Sequence, residues 1–379
     1  MIGGTFIERE QRESYIETAL TAYYPDRHIT FRNLGWSGDT IRAESRGIFD
    51  PPEVGYQRLM EQVAERKPTV VMLFYGNNES FAGEKGLPQF EQDYRKLLDD
   101  LSTAAGNPVF VLVSPHSHVE NAQSLPDPEV NNRNLKLYSK SIHRIADEYQ
   151  AKFVDLYSQL SANIDVKCEN GIHLSTEGYR WIAAPFREFL LGSDTDRDTT
   201  DDRYFVWHVK LNADGKVLSA VTTNKTIVEN VEPLANGLRF DSLYGRLRMS
   251  LPREGFGSHV VEVTGLPIGE YSLHIDGTEI HTFFDDKEKN KNCWFYSGPE
   301  FDQTEKLRQA IIEKNRLYFY RWRPQNVTYL FGFRKHEQGN NAVEVPQFDP
   351  LIEELEAKIA ELRKPVKHRY EILRDENNE

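Results

Sequence analysis

The sequence predicts a three-layer α/β domain built on a parallel sheet, followed by a small antiparallel β domain and C-terminal helices. Two apolar runs of strand length, KPTVVMLFY (67–75) and NPVFVLVSP (107–115), have the pattern of strands covered on both faces. Helical and strand patterns alternate through residues 1–192, the order of a parallel sheet with helices on both sides. Past an acidic stretch at 193–202, SDTDRDTTDD, the pattern changes to short alternating strands.

In chain order, Tyr15, Ile16, Ala19, Leu20 and Tyr23 recur at helical spacing, so a helix is expected over 12–23, stopping before Pro25. HITFRNL reads as a short strand, 54–66 as a helix and 67–75 as a buried strand. Helices at about 90–101 and 132–149 flank the strand at 107–115; AKFVDLY is a further strand, and 176–191 a closing helix. Residues 193–202 form a linker. From 203 to 285, stretches such as YFVWHVKL and GEYSLHIDGTEIHTF are separated by Gly, Pro and Asn-Gly turns, the pattern of an antiparallel β domain. Residues 286–379 form a helical extension expected to pack back on the α/β domain. In it EKLRQAIIEKNRLYFYRW is one amphipathic helix ended by Pro324, and DPLIEELEAKIAELRKP is another, bounded by Asp349 or Pro350 and by Pro365.

With 379 residues, 39% hydrophobic and 12% aromatic, the chain has ample material for a packed core. A net charge of −13 argues against nucleic acid, whose phosphates need a concentrated basic surface. No apolar run approaches the length of a membrane span. Cys168 and Cys293 stand far apart without metal spacing, so neither a zinc site nor a disulfide framework is signalled, although one long-range bridge stays open. No metal or other cofactor is expected.

In an open parallel sheet ligands bind beyond the carboxyl ends of the strands. Four loops at that edge carry unusual residues: GGT (3–5), GWSGDT (35–40), YGNNES (75–80) and ENGIHL (169–174). Together they suit acyl transfer, with His173 as general base, the Gly38 N–H and Asn78 amide as an oxyanion site, and a hydroxyl of the first loop as attacking group. Taken together, the loops resemble those of the SGNH (GDSL-type) hydrolases, which are esterases and lipases. The resemblance covers roughly 1–192 and implies a flavodoxin-like sheet of five parallel strands. It also implies that Gly38 and Asn78 bind the oxyanion and that His173 is the catalytic histidine. The family's Gly-Asp-Ser is Gly3-Gly4-Thr5 here, so Thr5 holds the nucleophile position and the intervening Asp is missing. The family's Asp three residues before the histidine is Asn170, with Glu169 beside it; either Asn170 or Glu169 is expected to orient His173. The C-terminal half resembles an extension found in a bacterial branch of the superfamily.

Ser37, Asp39, Ser80 and His116 are candidate substrate-lining residues, and Ser37 and Ser80 are also substitute hydroxyls. His116 and His118, in SPHSH, are expected to line the pocket, since no carboxylate or Cys stands at ligand spacing for a metal. In RLYFYRWRP, Arg316, Arg321 and Arg323 interleave with aromatics that can stack on bases or sugars, but a helix packed on the α/β domain is the simpler reading. The leading function is hydrolysis of a small acyl ester, an acetyl on a carbohydrate. The rival is a catalytically impaired protein that keeps the pocket and binds a ligand, on the strength of Thr5 and Asn170. Only Met1 and Ile2 precede the first loop, so a central strand is expected upstream, behind an export signal that would make the protein periplasmic or secreted. Without such a leader the chain reads as cytoplasmic.

Overall fold

A computed structural model describes residues 1–120, 127–161, 168–190, 205–214, 217–221, 227–247, 249, 258–285, 292–324, 326–339 and 341–375. The expected linker at 193–202 lies outside them. The chain forms two compact units: Met1–Ile16, Thr30–Phe189 and Ile312–Ile352 make the first, and Glu17–Ile29, Leu190–Ile311 and Glu353–Glu379 the second.

The chain opens with β1 (Ile2–Gly3) and α1 (Thr5–Glu13) of the first unit and α2 (Tyr15–Tyr23), which belongs to the second unit from Glu17 on; the first unit resumes with β2 (Leu34–Gly35), α3 (Pro52–Arg66), β3 (Val70–Phe74) and α4 (Gly83–Ala105). It continues with β4 (Val109–Val113), α5 (Pro128–Glu148), β5 (Lys152–Val154), α6 (Leu156–Ser161) and α7 (Thr176–Leu190). All five strands are parallel, in the order β2-β1-β3-β4-β5. The strand position expected to need an upstream segment is held by Ile2 and Gly3, which pair with Leu34 and Gly35 on one side and with Leu73 and Phe74 on the other. In β3 and β4 the first residue is exposed and the next four are buried, so the chain is covered where it approaches the C-terminal edge. The core below joins Leu73, Leu112 and Ile2 from the sheet to Tyr94, Leu97 and Leu98 of α4, Tyr138 and Ile142 of α5, and Tyr318 and Ile352 of the C-terminal segment.

Two local expectations need correction. The helix expected over 12–23 is two helices, because Ser14 takes a left-handed conformation (φ 54°) that ends α1. Its side chain and that of Glu10 then serve the break: Ser14 Oγ donates to the Gln11 carbonyl and Glu10 Oε1 accepts the Ile16 N–H at 2.6 Å. HITFRNL contributes only Leu34 to a strand. There Asn33 turns its side chain inward, donating to the Ile7 carbonyl at 2.6 Å and accepting the Gly35 N–H at 2.8 Å.

The second unit contains β6 (Phe205–Asn212), β7 (Val217–Val221), β8 (Ile227–Leu234), β9 (Gly237–Leu243), β10 (Ser258–Thr264), β11 (Gly269–Ile275), β12 (Thr278–Asp285) and β13 (Asn292–Phe295). After them in the chain come α8 (Pro299–Trp322), which belongs to the first unit from Ile312 on, α9 (Val327–Leu330), which lies in the first unit, α10 (Phe348–Leu362), which belongs to the second unit from Glu353 on, and β14 (Lys367–Arg374) of the second unit. The strands form two sheets, β13-β10-β6-β7 and β12-β11-β14-β9-β8. Both contribute to one core: Leu211, Val261 and Phe295 from the first, Phe240, Tyr271 and Tyr370 from the second. One pair, β6 with β10, is parallel within an otherwise antiparallel arrangement. β14 lies in the stretch expected to be helical; its alternating burial, with His368, Tyr370 and Ile372 inside, is a strand pattern only eight residues long that the helix before it obscures.

Candidate active site

α1 begins at the candidate nucleophile. Gly4 is its N-cap and Thr5 its first residue, so the hydroxyl stands where unpaired helical N–H groups and the positive end of the helix dipole favour negative charge. Thr5 Oγ1 accepts a hydrogen bond from the Gly38 N–H at 3.0 Å. The Asn78 side chain donates from Nδ2 to the Asp39 carbonyl at 2.9 Å. A Cβ at Gly4 would lie 3.1 Å from that carbonyl and 3.8 Å from Asn78 Nδ2, so the first three loops converge on a backbone that has no side chain to spare room for.

A buried carboxylate fixes two of these loops to each other. Glu79 accepts the Ile41 N–H with Oε1 and the Gly76 N–H with Oε2, both at 2.8 Å, and burial pushes its carboxyl above the ordinary range. Asp39 and Ser80, expected to line the substrate pocket, are instead buried. Asp39 Oδ2 accepts from Arg46 Nε at 2.7 Å inside the protein, and Arg46 Nη2 also donates to the Leu34 carbonyl at 2.7 Å. Burial raises the Asp39 pKa, and the Arg46 guanidinium opposes that rise. Ser80 Oγ donates to the Asn77 carbonyl at 2.7 Å, which removes it as a substitute nucleophile. Ser37 is exposed, and both its N–H (2.7 Å) and its Oγ (2.9 Å) donate to Glu8.

The histidine loop is held against α1 by two contacts. Arg9 pairs with Glu169 at 2.5 Å, and the hydroxyl of Tyr179 on α7 donates to the Phe6 carbonyl at 2.7 Å. Glu169 is therefore turned to Arg9, and Asn170 is the residue on His173. Asn170 Oδ1 accepts the His173 N–H at 2.9 Å and the Ile172 N–H at 3.2 Å, while Nδ2 faces His173 Nδ1 at 3.0 Å. These bonds fix the amide: reversing it would set an NH2 group against two N–H donors. Nδ2 can only donate, so Nδ1 is the acceptor and the neutral ring carries its proton on Nε2. Burial, with the Arg9 charge, also lowers the His173 pKa, and Glu169 partly offsets this.

His116 and His118 stand near this ring. His116 packs on Phe6 with ring centres 5.7 Å apart and donates from Nδ1 to the Ser117 carbonyl at 2.9 Å, which leaves its Nε2 as an acceptor. His118 is satisfied as a neutral ring, with Nε2 to Asn77 Oδ1 at 3.0 Å and Nδ1 taking the Asn131 amide at 3.1 Å. Burial lowers both, His118 to about 4. Among the described residues no group of three His, Cys, Asp or Glu side chains is placed to hold a metal ion. Glu8, Arg9, Arg46, Glu79 and Tyr179 support the site and were not among the sequence candidates. Glu8 and Arg9 sit one turn beyond Thr5, and a helix read from Thr5 onward would have found them.

A parallel α/β domain with this set of loops at the carboxyl edge of its sheet is an SGNH-type hydrolase domain. Residues 5–181, the α/β part of the chain, match the GDSL-like Lipase/Acylhydrolase family. A GDSL esterase/lipase of Arabidopsis thaliana is 24% identical over 151 residues, 34% of this chain; the match spans 62% of that protein's length. Among solved structures, a gut microbial diltiazem-metabolizing enzyme is similar over 99% of this chain and 96% of its own, with a TM-score of 0.71 and 17% identity. An acetyl-xylooligosaccharide esterase from Geobacillus stearothermophilus, a mutant form, is similar over 50% of this chain and 91% of its own, with a TM-score of 0.39 and 20% identity.

Proposed function

We propose that the chain hydrolyses small acyl esters, with Thr5 as nucleophile and His173 as its base. The observation that carries this reading is the placement of Thr5 Oγ1 at the start of α1, where it accepts the Gly38 N–H at 3.0 Å. Thr5 Oγ1 attacks the acyl carbonyl and its proton passes to His173 Nε2. The carbonyl oxygen becomes an oxyanion that the Gly38 N–H and Asn78 Nδ2 bind once they turn from their resting acceptors. Collapse releases the alcohol, which takes the proton from His173; water then attacks the acyl-threonine by the same route and frees the acid. The β-branch of Thr restricts χ1 and slows the attack relative to a Ser.

The resting tautomer of His173 limits this cycle. A proton on Nε2 has to move to Nδ1 before the ring can accept one from Thr5, and Asn170 offers Nδ1 a donor where a carboxylate would offer an acceptor. Turnover is accordingly slow. The same observation favours a second reading, a protein that binds an ester or its alcohol and cleaves it poorly. On the alcohol side we propose a carbohydrate, so that the substrate is a sugar acetyl ester; an aromatic cavity beside the 35–40 loop supports this.

The test is hydrolysis of p-nitrophenyl acetate and acetylated xylan by the wild type, Thr5→Ala and His173→Ala. The proposal expects turnover that both variants lose. A wild type no faster than His173→Ala on either ester leaves the binding reading standing.

A further inference from the structure

Deepening the proposed function, and resting on it for the identity of the substrate, we infer that a cavity walled by Trp36, Trp322, Phe49 and Phe333 binds the pyranose rings of a neutral oligosaccharide. The cavity has a volume of about 360 Å³ and lies within the first unit, between the 36–50 region and the segment around α9. That size is in the range of small-molecule sites, about 300–1,000 Å³. It adjoins the candidate active site through one loop. Trp36 precedes Ser37 and Gly38, and Arg323 on the opposite wall donates to Glu8 at 2.6 Å, the carboxylate that holds Ser37.

The lining selects the ligand. Phe49 is 83% exposed and Phe333 79%, and Ile48 and Phe331 are exposed beside them, a concentration of apolar surface on one rim. Ile48, a β-branched residue, is held at φ 61° and ψ −98°, a conformation that costs energy and is kept where surrounding structure imposes it. The arginines of the wall are already matched: Arg46 to Asp39, Arg58 to Asp50 and Arg323 to Glu8. A charged ligand therefore finds no uncompensated partner. Three buried polar atoms of the wall have no hydrogen-bond partner, the donors Trp322 Nε1 and Arg46 Nη1 and the acceptor Gln62 Oε1. A ligand that fits has flat apolar faces for the aromatic rings, hydroxyls that both accept and donate at its edge, and no net charge. A pyranose ring meets all three requirements, and a purely aromatic ring fails the second.

The experiment measures binding without hydrolysis. Xylotetraose, cellotetraose, maltotetraose and chitotetraose are titrated into the wild type and into a Phe49→Ala/Phe333→Ala double variant, by calorimetry and by the fluorescence of Trp36 and Trp322; 2-naphthol is the apolar control. Both replaced rings are exposed, so the variant folds, and neither touches Thr5 or His173. The inference expects at least one tetrasaccharide to bind the wild type and to bind the variant about ten-fold more weakly, a loss of about 1.4 kcal/mol, with p-nitrophenyl acetate turnover unchanged. It is overturned if no tetrasaccharide binds, if both proteins bind equally, or if 2-naphthol binds in their place. A protein without esterase activity that still binds the sugar would refute the proposed reaction and leave this site intact.

Discussion

The identity of one residue, Asn170, decides what His173 can do. Sequence spacing brings out both Asn170 and Glu169 as candidates to orient the imidazole, and it cannot choose between them. The choice depends on Arg9, 160 residues away, which takes Glu169, and on two backbone N–H groups that fix the Asn170 amide. Asp39 is another residue whose type is legible and whose role is not. It reads as a polar loop residue, yet it is buried against Arg46. Removing one partner of such a pair strands the other charge. Arg46→Met is expected to destabilise the α/β unit by about 3–5 kcal/mol, and the double variant Asp39→Leu/Arg46→Met by less, because no uncompensated ion remains. Urea unfolding of the two variants checks the order.

At the level of elements, the parallel sheet is legible because its central strands are long apolar runs, and β3 and β4 are found where VVMLF and VFVLV stand. β1 and β2 are legible only at their edges, Ile2 and Leu34, since two residues each carry no period; their extent and pairing are set by tertiary context. Gly35 shows how tight that context is. A Cβ there would lie 2.3 Å from the Glu8 N, so α1 rests directly on β2 and the candidate nucleophile is positioned by that approach. Gly35→Ala is expected to push α1 outward, costing about 2–3 kcal/mol and lowering the thermal midpoint of the α/β unit. Ester turnover, if it depends on Thr5, falls with it. The strand β14 shows the opposite limit: a clear alternating pattern hidden behind a helix with a stronger one.

For the molecule as a whole, the acidic composition argues correctly for neither fold nor site, whereas three buried or half-buried histidines give a specific pH dependence. Burial holds His118 at about 4, below the ordinary 6.5 for histidine, and lowers His116 and His173 as well. A lowered folded pKa means that the unfolded chain takes up the proton first as the pH falls. Stability is thus complete above pH about 6.5 and is lost between there and pH 4, by about 3 kcal/mol for His118 alone. Denaturant unfolding at pH 7 and pH 4.5 is expected to show that loss, and His118→Gln to reduce it. The same logic applies to turnover under the proposed reaction: with neutral His173 as the base, its lowered pKa carries the acid limb of the rate profile below the ordinary histidine value.

Under the proposed reaction, Asn170 holds His173 in the tautomer that cannot accept the Thr5 proton. The most direct measurement is kcat for p-nitrophenyl acetate, across pH, for the wild type and Asn170→Asp. A carboxylate at this position accepts the Nδ1 proton and stabilises the imidazolium. The variant is expected to be faster by on the order of 10²–10⁴, with its acid limb moved to higher pH. An Asn170→Asp enzyme no faster than the wild type, with an unmoved profile, contradicts the account.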